Sequence, residues 1–250
     1  MRSVFQASTL SGLAGIVIIV LCWHVAVAAG LVSPFLVPPP AEVWRAGFNL
    51  FNEERLAHAF TLTLVVTFSA TAIAALLGVC GGWLLYRYRL FGMAYESWLG
   101  ALFSAPLILL YPLFMVIFGR GYTTLVVMGV LAGVIPILMK TREGLAGVRP
   151  VLINVARSLN MSDALIFRKV LLPAAVPTIF TGLRLGFIYT MINIVAVEYL
   201  ANFGGLGFLV GEMYDRFDIP AMYAAMLFVI TVSIVGFWST ERLEKWLLKT

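Results

Sequence analysis

Charge is what this chain has least of. Only 12% of its 250 residues are charged, against 62% hydrophobic, and the mean hydropathy is +0.99. Soluble domains carry about twice that charged fraction, so the composition excludes a water-facing globule and points to a bilayer. Histidine and cysteine are also scarce, with two of each. Cys22 and Cys80 lie in separate apolar stretches with no CxxC spacing, which excludes a redox pair or a metal cluster and leaves small packing residues. His24 and His58 have no carboxylate close in sequence, so no nucleophile and base pair marks an intramembrane enzyme. No G-x-x-x-x-G-K-[ST] pattern occurs, and no Gly-Lys pair at all, which excludes a phosphate-cradling loop on this chain.

What is present is a series of long apolar runs. Six are long enough to cross a bilayer, which needs about 20 residues of helix. They fall at about 10–32, 59–86, 99–119, 121–140, 173–200 and 220–241, giving an all-α polytopic membrane protein in one domain over 1–250. Ala26-Val27-Ala28 resembles a signal-peptide cleavage site, but the apolar run before it is too long for a signal core, so it is kept as a span. Gly78, Gly81 and Gly82 in the second span allow close helix approach. Pro106 and Pro112 in the third predict kinks.

The basic residues set the orientation. Of the 17 Lys and Arg residues, only Arg45, Arg55, Arg120 and Arg216 fall on one side, with Arg184 inside the fifth span; the rest, Lys249 among them, gather on the other. By the positive-inside rule that side is cytoplasmic and both termini lie there. Topology thus accounts for the net charge of +5 without a nucleic-acid partner. On the opposite side, Pro38-Pro39-Pro40 forms a stiff stretch before Val43, Trp44, Phe48, Leu50 and Phe51, whose spacing fits a short helix on the membrane surface.

The cytoplasmic segment 141–172 is the most informative. Pro150 suits the first turn of a helix, and Val151, Leu152, Val155 and Leu159 then fall within about 100° of arc. Asn160 stands where a left-handed residue ends that helix, and Ser162 can cap the next, with Asp163 in its first turn. A compact helix, turn, helix with an apolar stripe and basic flanks at Arg157, Arg168 and Lys169 reads as a docking surface of the helix-in-groove kind.

Here the sequence resembles the permeases of type I ABC importers, and among them the nitrate, sulfonate, taurine and pyrimidine-precursor branch. The resemblance rests on Val155-Ala156-Arg157-Ser158-Leu159-Asn160 and on the run from Phe167 through Leu172-Pro173-Ala174-Ala175-Val176-Pro177. It also rests on Pro112-Leu113-Phe114 with Phe118-Gly119, on Thr181-Gly182-Leu183-Arg184, and on Glu198 with Gly204-Gly205-Leu206-Gly207. It departs from the family's EAA signature in having Asn154 for Glu, Val155 for Ala and Asn160 for Gly. The resemblance implies a second permease copy, most simply a homodimer, and two ATPase subunits docked on Val151, Leu152, Asn154, Val155, Ala156, Arg157, Leu159, Asn160 and Ser162. It also implies an extracytoplasmic substrate-binding protein, an inner-membrane location among lipid, and ATP with Mg held by the ATPase rather than by this chain.

Arg184 and Glu198 are the clearly intramembrane charges, and such residues are costly enough to invite a functional reading. Their separation puts them about 21 Å apart on a straight helix, too far to pair. With Tyr189, Thr190, Asn193 and Val197 between them, they are the candidates for the pathway or its gate. The alternative reading, a secondary transporter or channel subunit, would call for repeated broken helices or more ionisable groups at depth.

Overall fold

A computed structural model describes residues 2–52 and 54–247; Lys249 lies outside the described residues. Every regular element among them is helical. The first apolar run forms α1 (Arg2–Ala28), and α2 (Pro40–Phe51) follows the triple proline, with Pro40 in its first turn. The second run forms α3 (Glu54–Arg87), the fourth α6 (Tyr122–Ala146), the fifth α9 (Leu172–Ala201) and the sixth α11 (Ile219–Leu247). α6 and α11 both extend past the sequence-predicted span ends, so the connecting segment expected from residue 141 begins only at Gly147.

The third run departs most from the expectation of one kinked span. It is split into α4 (Arg89–Ser104), a single 3₁₀ turn (Leu107–Leu110) and α5 (Tyr111–Phe118), with the two halves bent by 78°. Pro106 is the cause, because a proline pushes the residue before it out of the helical region, and Ala105 is extended at φ −70°, ψ 138°. Pro112 produces no kink: it lies in the first turn of α5, where its missing N–H costs nothing.

α6 lies between α3 and α9 and packs along both. Glycine makes that approach possible. A Cβ at Gly78 would stand 2.7 Å from Ile137, and one at Gly82 2.6 Å from the Leu138 carbonyl oxygen, both on α6. Since hydrocarbon gives helices no hydrophobic drive to associate, such contact distances supply the packing energy. Cys22 and Cys80 do not join in it; both face outward, so their expected packing role is not what the fold uses.

Three apolar clusters divide the molecule along its length. One, around Val66, Ala70, Leu125, Met128, Ile194 and Val197, binds the middle of α3, α6 and α9. A second gathers Val43, Leu50, Leu56 and Ala221 at the end where α2 lies, and α2 leaves Trp44, Phe48 and Phe51 exposed there as an interfacial helix would. This cluster includes Leu206, Leu209 and Met213 from α10 (Gly205–Asp215), a helix the sequence reading did not anticipate. The third cluster lies at the opposite end, around Leu145, Ala156, Ile166, Leu171 and Ala175.

Candidate functional site

The predicted helix-turn-helix is formed at that opposite end. α7 (Pro150–Ser158) begins at Pro150, and Asn160 adopts the left-handed conformation at φ +52°. Met161 N–H donates to the Ala156 carbonyl at 3.2 Å and Asn160 N–H to the Arg157 carbonyl at 2.9 Å, the paired bonds of a Schellman end. Asn replaces the signature Gly at little cost, since its side chain tolerates that region better than most. Ser162 occupies the N-cap of α8 (Asp163–Ile166) with extended backbone, but its hydroxyl makes no capping bond, so the expected cap is positional only. A π-helical turn, Phe167–Leu171, carries the chain straight into α9.

α7 has two apolar sides with different fates. Ala156 is buried and Ile153 partly so, against the cluster formed by α6, α8 and α9. Val151, Leu152, Val155 and Leu159 remain exposed, at 59%, 44%, 53% and 70%. Asn154, Arg157, Asn160 and Ser162 border them in solvent. The loop is thus held to the body by one face and presents an unpartnered apolar stripe on the other.

The candidates on α9 separate into three groups. Arg184 turns to α11, where Nη1 lies 3.2 Å from Glu244 Oε2 and the guanidinium sits 5.5 Å over the Phe237 ring. Sequence spacing could not pair Arg184 with Glu198, and the fold supplies Glu244 instead. Thr190, Val197 and Glu198 have no exposure at all. Thr190 Oγ1 donates to the Gly129 carbonyl of α6 at 3.0 Å, and Val197 belongs to the central cluster. These positions therefore face the interior of the protomer rather than an open wall, because α3 and α6 cover that side of α9.

Tyr189 and Asn193 are the two candidates left at the surface of α9. Tyr189 is 39% exposed and meets Phe103 of α4 edge-on at 4.8 Å. Asn193 is half-buried, and its Oδ1 accepts no hydrogen bond. Through Phe103, Tyr189 lies beside the break between α4 and α5.

The contact missed at sequence level is the one between Glu198 and α10. Thr63 Oγ1 of α3 lies 2.9 Å from each carboxylate oxygen and donates to the carboxylate, and Gly207 N–H donates to Oε2 at 3.0 Å. Leu206 N–H donates in turn to Thr63 Oγ1 at 2.8 Å. Glu198 and Gly204-Gly205-Leu206-Gly207 were visible as motifs, but nothing local in the sequence pairs them with Thr63.

The fold is a bundle of long apolar helices with a broken third run and an exposed helix-turn-helix at one end. Residues 70–249 match the family described as binding-protein-dependent transport system inner membrane component, and the chain belongs to that family. Among similar proteins, the taurine transport system permease protein TauC of Escherichia coli K12 is 29% identical, covering 86% of this chain and 79% of its own. The formylaminopyrimidine transport permease protein ThiX of Halalkalibacterium halodurans is 26% identical, covering 86% of each. Among solved structures, the inward-facing MetNI methionine ABC transporter matches with a TM-score of 0.66 at 21% identity, over 76% of this chain and 94% of that one. An amino acid ABC transporter solved with histidines matches at 0.63 and 20%, over 78% and 94%. The protein is an ABC importer permease subunit, a multi-pass inner-membrane component; its family implies ATPase and binding-protein partners.

Proposed function

We propose that this permease forms the translocation pathway for a small organic solute, either a heterocyclic vitamin or its precursor or a small organic anion. It works as a homodimer with two ATPase subunits docked on the α7 stripe and a binding protein delivering solute at the α2 and α10 end. The α7 end and both termini are cytoplasmic, lipid surrounds the outer helices, and ATP with Mg binds on the ATPase alone. The observation that carries the reading is α7 itself. One side is fixed into the body through Ala156, while Val151, Leu152, Val155 and Leu159 stay exposed at solvent-facing positions, as a helix awaiting a groove would leave them.

The substrate class draws on two observations. Relatives are named for taurine and formylaminopyrimidine transport, and the surface of α9 near the α4 break offers the exposed Tyr189 amid apolar wall. Arg184, paired with Glu244, is less available to an anion than its sequence position alone suggests. ATP binding would draw the docked loops together, and the unbroken helical continuation of α8 through the π turn into α9 would carry that motion to the pathway.

Vesicles containing the permease, its ATPase and its binding protein provide the test. ATP-dependent uptake of a sulfonate or a substituted pyrimidine supports the assignment. Uptake that needs an ion gradient and ignores ATP would replace it with a secondary transporter.

A further inference from the structure

Among the described residues, Glu198 is the one charged side chain with no solvent exposure. A carboxylate buried this way is costly unless fully bonded, so its partners explain why it is tolerated. The Thr63 hydroxyl and the Gly207 N–H both donate to it, and it sits at the positive end of α10. The knot joins three elements, since Thr63 is on α3, Glu198 on α9, and Leu206 and Gly207 on α10.

The glycines around it are explained by the same contact. A Cβ at Gly205 would fall on the Glu198 carboxylate, and one at Gly207 on the Val195 carbonyl oxygen. The chain reverses between α9 and α10 through Asn202 and Gly204, both at positive φ, and Arg120 Nη2 donates to the Ala201 carbonyl at 3.0 Å. The far end of α10 is held too, where Glu212 pairs with Arg55 at 2.8 Å and Arg216 at 2.6 Å.

We infer that Glu198 is a positioning residue: through Thr63 and the start of α10 it locks α10 onto α9, so that α10 and the docking loop at the other end move as one body. α9 has 30 residues, about 45 Å of helix, and continues through the π turn into the docking loop. A contact made on α10 is then passed across the membrane along one continuous helix, which holds Pro177 near its docking-loop end, rather than absorbed by a loose surface helix. The inference rests on the importer reading, with α10 on the side that meets the binding protein.

The test uses the complete complex in nanodiscs with its binding protein, comparing wild type, Thr63→Val and Thr63→Ser. Thr63→Val keeps the shape and removes the hydroxyl that serves both Glu198 and Leu206. Basal ATP hydrolysis should stay at the wild-type level, while binding-protein stimulation and uptake fall by about tenfold or more, as loss of a charged hydrogen bond at a rigid joint allows. Hydrogen exchange should rise over 203–215 and not over 172–185. Thr63→Ser, which keeps the hydroxyl, should restore all three. Wild-type stimulation in Thr63→Val would overturn the inference, as would failure of Ser to rescue or an equal rise in exchange along α9. If the wild-type complex itself shows no ATP-driven uptake, the importer reading fails, while the exchange comparison on the permease still decides whether the lock exists.

Discussion

Replacing Val155 and Leu159 together by Asp separates docking from folding. Both side chains are more than half exposed, at 53% and 70%, and neither belongs to the apolar cluster beneath α7. Exposed substitutions of this kind change stability by about 0.5 kcal/mol or less each, so the permease should fold and reach the membrane. In a docked complex the two positions form the C-terminal half of the apolar stripe, where truncations of well-packed anchors cost about 2 kcal/mol or more and an unpaired carboxylate adds its desolvation. A combined loss of about 3–5 kcal/mol corresponds to a roughly 100- to 5,000-fold weaker association. The assay is gentle affinity purification of the tagged permease followed by mass spectrometry of what accompanies it. The P-loop ATPase should accompany wild type and vanish from the variant, while the variant's melting temperature in detergent matches wild type. Ala156→Asp, on the buried side at 2% exposure, should instead destabilise the permease itself. Full ATPase recovery with the folded double variant would refute the assignment of the stripe.

Other consequences are as direct. Asn160→Gly should leave stability within about 0.5 kcal/mol, whereas Asn160→Val should cost about 1–2 kcal/mol because φ is +52° there; thermal unfolding of the purified subunit distinguishes them. Gly82→Val should lower thermal stability by about 1–3 kcal/mol or more, since even a Cβ would lie 2.6 Å from the Leu138 carbonyl oxygen; an unchanged melting temperature would show that α3 and α6 separate easily. Arg184→Ala should destabilise by about 1–3 kcal/mol by leaving Glu244 unpaired, and a double-mutant cycle with Glu244→Gln should show clear coupling, a value near zero refuting the clamp between α9 and α11.

The helices, their rough limits and the loop turn were legible in the sequence because each follows from local rules. Pro150 starts α7, Asn160 ends it, and long runs with few or no charges mark α3, α6, α9 and α11. The break at Pro106 was anticipated as a kink, but its 78° size was not, because the bend depends on how α4 and α5 seat on α6. α10 was overlooked since it is short and lies between two spans, although the spacing of Leu206, Leu209 and Met213 already marks one buried helix face. The candidates on α9 were correctly grouped on one helix, yet which of them face inward depends on the positions of α3 and α6.

By itself the sequence determined that this chain is a membrane protein built of long apolar helices, and that a helix-turn-helix with an apolar stripe projects from one end. Those properties are set by residues near one another in the chain: hydropathy over a span's length, a proline at a helix start, an asparagine where φ turns positive. Only the tertiary structure decided the partners of the charges. Arg184 meets Glu244, and Glu198 meets Thr63 and Gly207, because α9 is packed against α11 on one side and α3 and α10 on the other. A buried charge must find its partner wherever the chain brings one, and nothing in the local sequence records how far away that will be.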